Sequence, residues 1–102
     1  MIETSQLQTL VAVAKAKSFS RAAEDLHVTQ SAISQSIKNL EIKVGVKLFK
    51  RSGKKVVLTP EGEKLYGLGS NFLMQMDDTL DEILFDRDTM SGKDRLGTLT
   101  GI

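Results

Sequence analysis

Apolar residues spaced three and four apart constrain this chain most, because that helical spacing recurs in four separate stretches, each with its own start and stop signals. Leu7, Leu10, Val11 and Ala14 share one helical face, and Ser5 with Gln8 makes a capping box, so a first helix is expected over roughly 5–16. Ser18 or Ser20 can cap a short second helix with Ala22, Ala23 and Leu26 facing inward, the alanines letting another helix approach closely. It ends near His27. Thr29 then offers an N-cap for a third helix, about 30–44, that carries Ile33, Ile37, Leu40 and Val44, with Gly45 placed to stop it and Val46 to pack back. Two helices three residues apart make a helix-turn-helix.

Leu48 to Arg51 and Lys55 to Leu58 read as two short strands around Ser52-Gly53-Lys54, a β-hairpin whose glycine can supply a positive φ. The one proline, Pro60, suits the first position of a helix, where its missing N–H is not needed, and Glu61 favours the same end. From there Leu65, Leu68, Phe72, Met76, Leu80 and Ile83 recur through about six helical turns. Gly67 and Gly69 weaken that helix by about 1 kcal/mol each unless close packing requires them. From about Asp88 to Gly97 no apolar period remains, which reads as a linker. The expected fold is mainly α. A winged helix-turn-helix of three helices plus a two-stranded β-hairpin wing occupies 1–59, a long dimerisation helix 60–87, and flexible chain 88–102.

With 102 residues, 40% of them hydrophobic, one small core and a tail are possible but not two cores. The net charge of +1 hides an asymmetry: residues 1–60 hold ten Lys or Arg against four Asp or Glu, and residues 61–102 hold four against nine. The first part suits a polyanion and the second would repel one. The absence of cysteine excludes a disulfide framework and a thiolate metal site, and a single histidine cannot build a histidine-rich one, so no metal or other cofactor is expected. His27 falls at the turn of the helix-turn-helix, where a residue that tolerates positive φ is useful. Without a second histidine or paired carboxylates in a glycine-rich loop, no catalytic residue and no enzyme is expected. No stretch is long and apolar enough to span a membrane and no signal peptide is evident, which points to a cytoplasmic protein.

Projected at 100° per residue, Ile33, Ile37, Leu40 and Val44 cluster within an arc of about 60°, while Ser31, Ser34, Gln35 and Lys38 point roughly the opposite way. That face is polar but nearly uncharged. It suits reading of base edges in a major groove, since glutamine presents donor and acceptor together and serine serves as either. An ordinary solvated face looks the same when the helix is taken alone. In the hairpin, Lys50, Arg51, Lys54 and Lys55 place four cations within six residues. Arg51 would approach the minor groove or backbone and the lysines the phosphates, or the four guard exposed strand edges against aggregation.

Ser18-Phe19-Ser20-Arg21-Ala22-Ala23-Glu24, Leu26-His27-Val28-Thr29-Gln30-Ser31-Ala32-Ile33-Ser34, then Leu40-Glu41, Gly45-Val46, Leu48-Phe49, Arg51 and Leu58-Thr59-Pro60-Glu61-Gly62 resemble the LysR-type regulators. The resemblance runs from about Leu7 to Gly62. It implies a winged helix-turn-helix, a linker helix that dimerises and a periplasmic-binding-protein-like effector domain downstream. Carried over by position, base and groove contacts fall on Gln30, Ser31, Ser34 and Gln35, with Arg51 in the wing and Ser20, Arg21 and Lys38 on the backbone. Lys54 and Lys55 join them as wing contacts. Many members have proline at Ser31 and arginine at Gln35; glutamine there shifts the preference from guanine towards adenine or a looser contact. The segment Gly97 to Ile102 resembles the first effector-domain strand and, without its sheet, is expected to be disordered. The chain therefore reads as a piece of a longer protein whose small-molecule effector is sensed elsewhere.

The expected partners are double-stranded DNA and a second copy of the chain, with a tetramer in the full-length protein. Leu65, Leu68, Phe72, Met76, Leu80 and Ile83 form the expected dimer interface, unless part of that stripe folds back on the first helix. Two rival readings use the same fold: a winged helix serving as a protein-interaction module, and a DNA binder of another winged-helix family.

Overall fold

A computed structural model describes residues 2–91, with side chains as far as Phe85. The order is α1 (Thr4–Ala16), α2 (Phe19–Leu26), α3 (Gln30–Val44), β1 (Phe49–Ser52), β2 (Lys55–Leu58) and α4 (Pro60–Ser91), a mainly α winged helix-turn-helix followed by a long helix. The segment Gly97 to Ile102, expected to be disordered, lies outside the described residues, as does the expected linker beyond Ser91. The described residues fall into two units that part between Asn71 and Phe72.

Local chemistry sets most boundaries in the first unit. α1 starts a turn's fraction earlier than expected: its cap is Glu3, whose N–H donates to Gln6 Oε1 at 3.0 Å, and Ser5 lies inside the helix. The pair Glu3–Gln6 wins because buried Gln6 also accepts from Lys43 Nζ at 3.3 Å, which ties α1 to the end of α3. Ser18, not Ser20, caps α2 by accepting the Arg21 N–H at 3.1 Å, and Thr29 caps α3 by accepting the Ala32 N–H at 3.1 Å. Between them His27 takes φ 57°, as its place at the turn suggested.

Leu10, Val13, Ile33, Leu40 and Leu48 form the centre of the core, where Ala22 and Ala23 let α2 pack closely. Two inward assignments are corrected. Leu26 is exposed: as the last residue of α2, before the chain turns at His27, it edges a shallow apolar hollow with Val28 and Ala32. Val46 is also exposed, because Leu48 two residues later takes the core position, its N–H held by Glu41 Oε2 at 2.8 Å.

β1 begins one residue later than expected and pairs antiparallel with β2, Phe49 opposite Leu58 and Ser52 opposite Lys55, around a turn in which Gly53 has φ 64°. The hairpin is fastened at two points. Val56 N–H donates to the Lys17 carbonyl at 3.1 Å, and the Phe19 and Phe49 rings meet edge to face at 6.1 Å. Thr59 then joins hairpin to helix: its hydroxyl donates to Lys47 O at 2.7 Å and accepts the Gly62 N–H at 3.0 Å. At Gly62 any Cβ would collide with the Leu48 carbonyl, so the chain can pass there only without a side chain.

Gly69 meets the packing condition set out above, since a Cβ on it would lie 3.2 Å from Leu7 Cδ2; Gly67 does not, having nothing within 4 Å. Leu65 packs against the domain's own core, so this member of the expected interface is already partly covered. α4 extends to Ser91 rather than 87, because residues 88–90 lack an apolar period but include no helix breaker before Gly92. In the second unit Phe72, Leu80 and Ile83 are exposed, as are Met74, Leu84 and Phe85, while Met76 is half-buried. Among the described residues no helix is long and apolar enough to cross a membrane.

Candidate nucleic-acid interface

The ten residues expected to meet DNA come from three elements, and the first unit gathers them around three hollows that share walls. The central hollow is lined by Ser18, Phe19 and Ser20 of the α2 start, Gln30 and Ser34 of α3, and Phe49, Lys50, Arg51, Lys54 and Val56 of the wing. A second hollow runs along α3 between Gln30, Ser31, Ser34, Gln35 and Lys38. A third lies beside the turn of the wing, between Lys17, Arg21, Glu24, Lys54 and Lys55. Gln30 and Ser34 belong to the first two, and Ser18, Ser20 and Lys54 to the first and third. The central hollow thus joins a polar surface on α3 to a basic surface on the wing.

The side chains on α3 are held as well as exposed. Gln35 Nε2 donates to Asn39 Oδ1 at 2.9 Å, one helical turn on, which restricts the amide's rotation. A second Nε2 hydrogen and the carbonyl Oε1 are not used by that bond, so Gln35 keeps the donor–acceptor pair that matches an adenine edge. Ser31 Oγ lies 3.2 Å from the capping hydroxyl of Thr29 and Ser20 Oγ 3.1 Å from that of Ser18, so both serines sit in first helical turns, where backbone N–H groups point outward.

The wing is positioned by contacts that explain several residues of the sequence motif. Glu41, whose other carboxylate oxygen is 3.8 Å from Lys47 Nζ, and Thr59 clamp the strand leading into β1 from both sides. These residues stitch α3, the wing and α4 together and do not reach the exposed face. Lys17 and Ser18 were not singled out as site residues from the sequence, although both line the face. Position 17 closes α1 with φ 57°, and the one sequence signal for it is a polar residue between two helical stretches.

Residues 4–63 match the family described as "Bacterial regulatory helix-turn-helix protein, lysR family". The chain is similar to the HTH-type transcriptional regulator CfxR of Cupriavidus necator, 38% identical over 95 residues that cover 93% of this chain and 30% of that protein. It is also similar to the RuBisCO operon transcriptional regulator of Allochromatium vinosum, 37% identical over 86 residues, 80% of this chain and 28% of that one. Among solved structures, the BenM DBD bound to benA site 1 DNA superposes with a TM-score of 0.76 at 32% identity, covering 89% of this chain and 99% of that one. Vibrio fischeri DarR in complex with DNA gives 0.73 at 35%, over 81% of this chain and 28% of that one. The chain spans less than a third of the length of the curated relatives it matches.

Proposed function

Because the chain belongs to the lysR family of bacterial regulatory helix-turn-helix proteins, we propose that it is the part of a transcription regulator that binds double-stranded DNA sequence-specifically, as a homodimer and without catalytic activity. α3 enters the major groove, where Gln30, Ser31, Ser34 and Gln35 read base edges and Lys38 reaches the backbone. Arg51 approaches the minor groove or backbone, Lys54 and Lys55 the phosphates, and Ser20 and Arg21 a phosphate beside α2. Leu68, Phe72, Met76, Leu80 and Ile83, with the remainder of Leu65, bury themselves against a second copy, and the remainder of a longer protein senses a small molecule and completes a tetramer. Its place of action is the compartment that holds the chromosome, the bacterial cytoplasm.

The observation that carries this reading is that an uncharged polar surface for bases and a cationic surface for phosphates share the walls of one hollow. Solved relatives in complex with DNA support it. The test is selection of bound sequences from a random duplex pool, where an inverted repeat is expected because a two-fold dimer presents two copies of α3. On the selected site Gln30→Ala should cost about 1–3 kcal/mol, with little loss on random DNA. Equal losses on both would remove the base-reading role, and no binding to any duplex at low salt would favour the protein-interaction module instead.

A further inference from the structure

The hollow beside the turn of the wing is lined by a cation that the sequence motif does not account for. Lys17 closes α1 in the left-handed region, at φ 57°, where a Cβ crowds the neighbouring carbonyl and glycine alone escapes the cost. Its carbonyl accepts the Val56 N–H, so the backbone here is pinned to β2 whatever side chain the position carries. The local backbone therefore favours glycine, and what lysine adds is its ammonium. That exposed side chain lines the hollow with Arg21, Lys54 and Lys55, and the lining includes one carboxylate, Glu24. Among the described residues none of the four cations has an ion pair within 4.0 Å, unlike Lys47, which pairs with Glu41. Four like charges around one hollow repel one another, and an anion between them relieves that repulsion.

We propose that Lys17 is the fourth cation of a phosphate seat between the α1–α2 turn and the wing, which takes a backbone phosphate of duplex DNA outside the segment whose bases α3 reads. This rests on the DNA-binding reading above and adds a site to it. The seat shares Ser18, Ser20 and Lys54 with the central hollow but no residue with the hollow along α3. Its contact is thus displaced from the read bases and carries no sequence information. Lysine suits such a place, as a compact charge on a flexible stem that follows a phosphate without fixed geometry.

The test is titration of random-sequence duplex DNA with the whole chain at several salt concentrations, beside Lys17→Gly and Lys17→Arg, with Tm measured for each. Glycine should hold or raise Tm, as the residue that the left-handed position favours, while the slope of log Kobs against log salt becomes shallower by up to about 0.9, the value of one whole phosphate contact, since Arg21, Lys54 and Lys55 remain at the seat. Arginine should keep the parent slope. A parent that binds steeply, with a glycine variant of equal slope or an arginine variant that loses it, overturns the seat and leaves the DNA-binding reading standing. A parent with no salt-dependent binding overturns both. Should glycine lower Tm as well as the slope, Lys17→Asn decides, being uncharged and tolerant of the same φ: a shallower slope at unchanged Tm supports the seat, and the parent slope overturns it.

Discussion

α3 and the later turns of α4 carry the same sequence signal and meet opposite fates. Ile33, Ile37 and Leu40 are at most 3% exposed, whereas Leu68, Phe72, Leu80 and Ile83 are 44–65% exposed. Periodicity states that one face of a helix needs cover, not what supplies it. For α3 the cover comes from α1, α2 and Leu48, all within the same unit. For α4 the first turns find α1, where Gly69 meets Leu7 and Val11, and from Phe72 onward most of the apolar side chains, Leu73 and Met76 excepted, are exposed, as are Asp77, Asp78, Asp81 and Glu82. Monomeric proteins seldom expose large contiguous apolar patches, and a self-complementary pair is the commonest remedy.

The contrast is most exposed to failure in stability. Leu40→Ala, which empties a fully buried site, should cost about 2–5 kcal/mol in urea unfolding. Leu80→Ala, measured at a dilution where the chain is monomeric, should cost within about 0.5 kcal/mol. Similar costs for the two would erase the distinction between a face covered from within the chain and one that the chain leaves exposed.

Association sharpens the same comparison. By light scattering at micromolar concentration the parent should have the mass of a dimer and the double variant Phe72→Asp, Ile83→Asp that of a monomer, since two carboxylates would have to be desolvated in the interface. A monomeric parent, or a variant that stays dimeric, would mean that the α4 stripe has some other use. A contrast of sign should come from two glycines within α4 that differ in what stands opposite. Gly62→Ala should destabilise by about 1–3 kcal/mol, as overpacking against the Leu48 carbonyl, whereas Gly67→Ala should stabilise by about 1 kcal/mol through helix propensity alone. Equal signs in thermal unfolding would show that α4 packs differently over its first turns.

Helix boundaries were legible in the sequence wherever their cause is local. Thr29 and Ser18 cap because a hydroxyl reaches an N–H three residues on, Gly45 and His27 stop helices because of the φ they accept, and Pro60 begins one because it lacks a donor. The ten residues expected to meet DNA were named from the helical projection, the clustered cations and the family resemblance, and the fold brings all of them to neighbouring hollows.

Other features depend on what packs opposite a residue, and no spacing rule contains that information. Gln6 became the capping partner because Lys43, 37 residues away, reaches it; Leu26 and Val46 stay in water because Ala22, Ala23 and Leu48 already fill the contacts; Gly62 has no room because of a carbonyl 14 residues earlier. Lys17 belongs with these, since only the folded hairpin brings Lys54 and Lys55 beside it. The sequence by itself determined the elements and the face that α3 presents, because capping, backbone φ and helical period act over a few residues. The tertiary structure alone decided which apolar positions are covered and which cations stand together, because burial and charge act between segments that are distant along the chain.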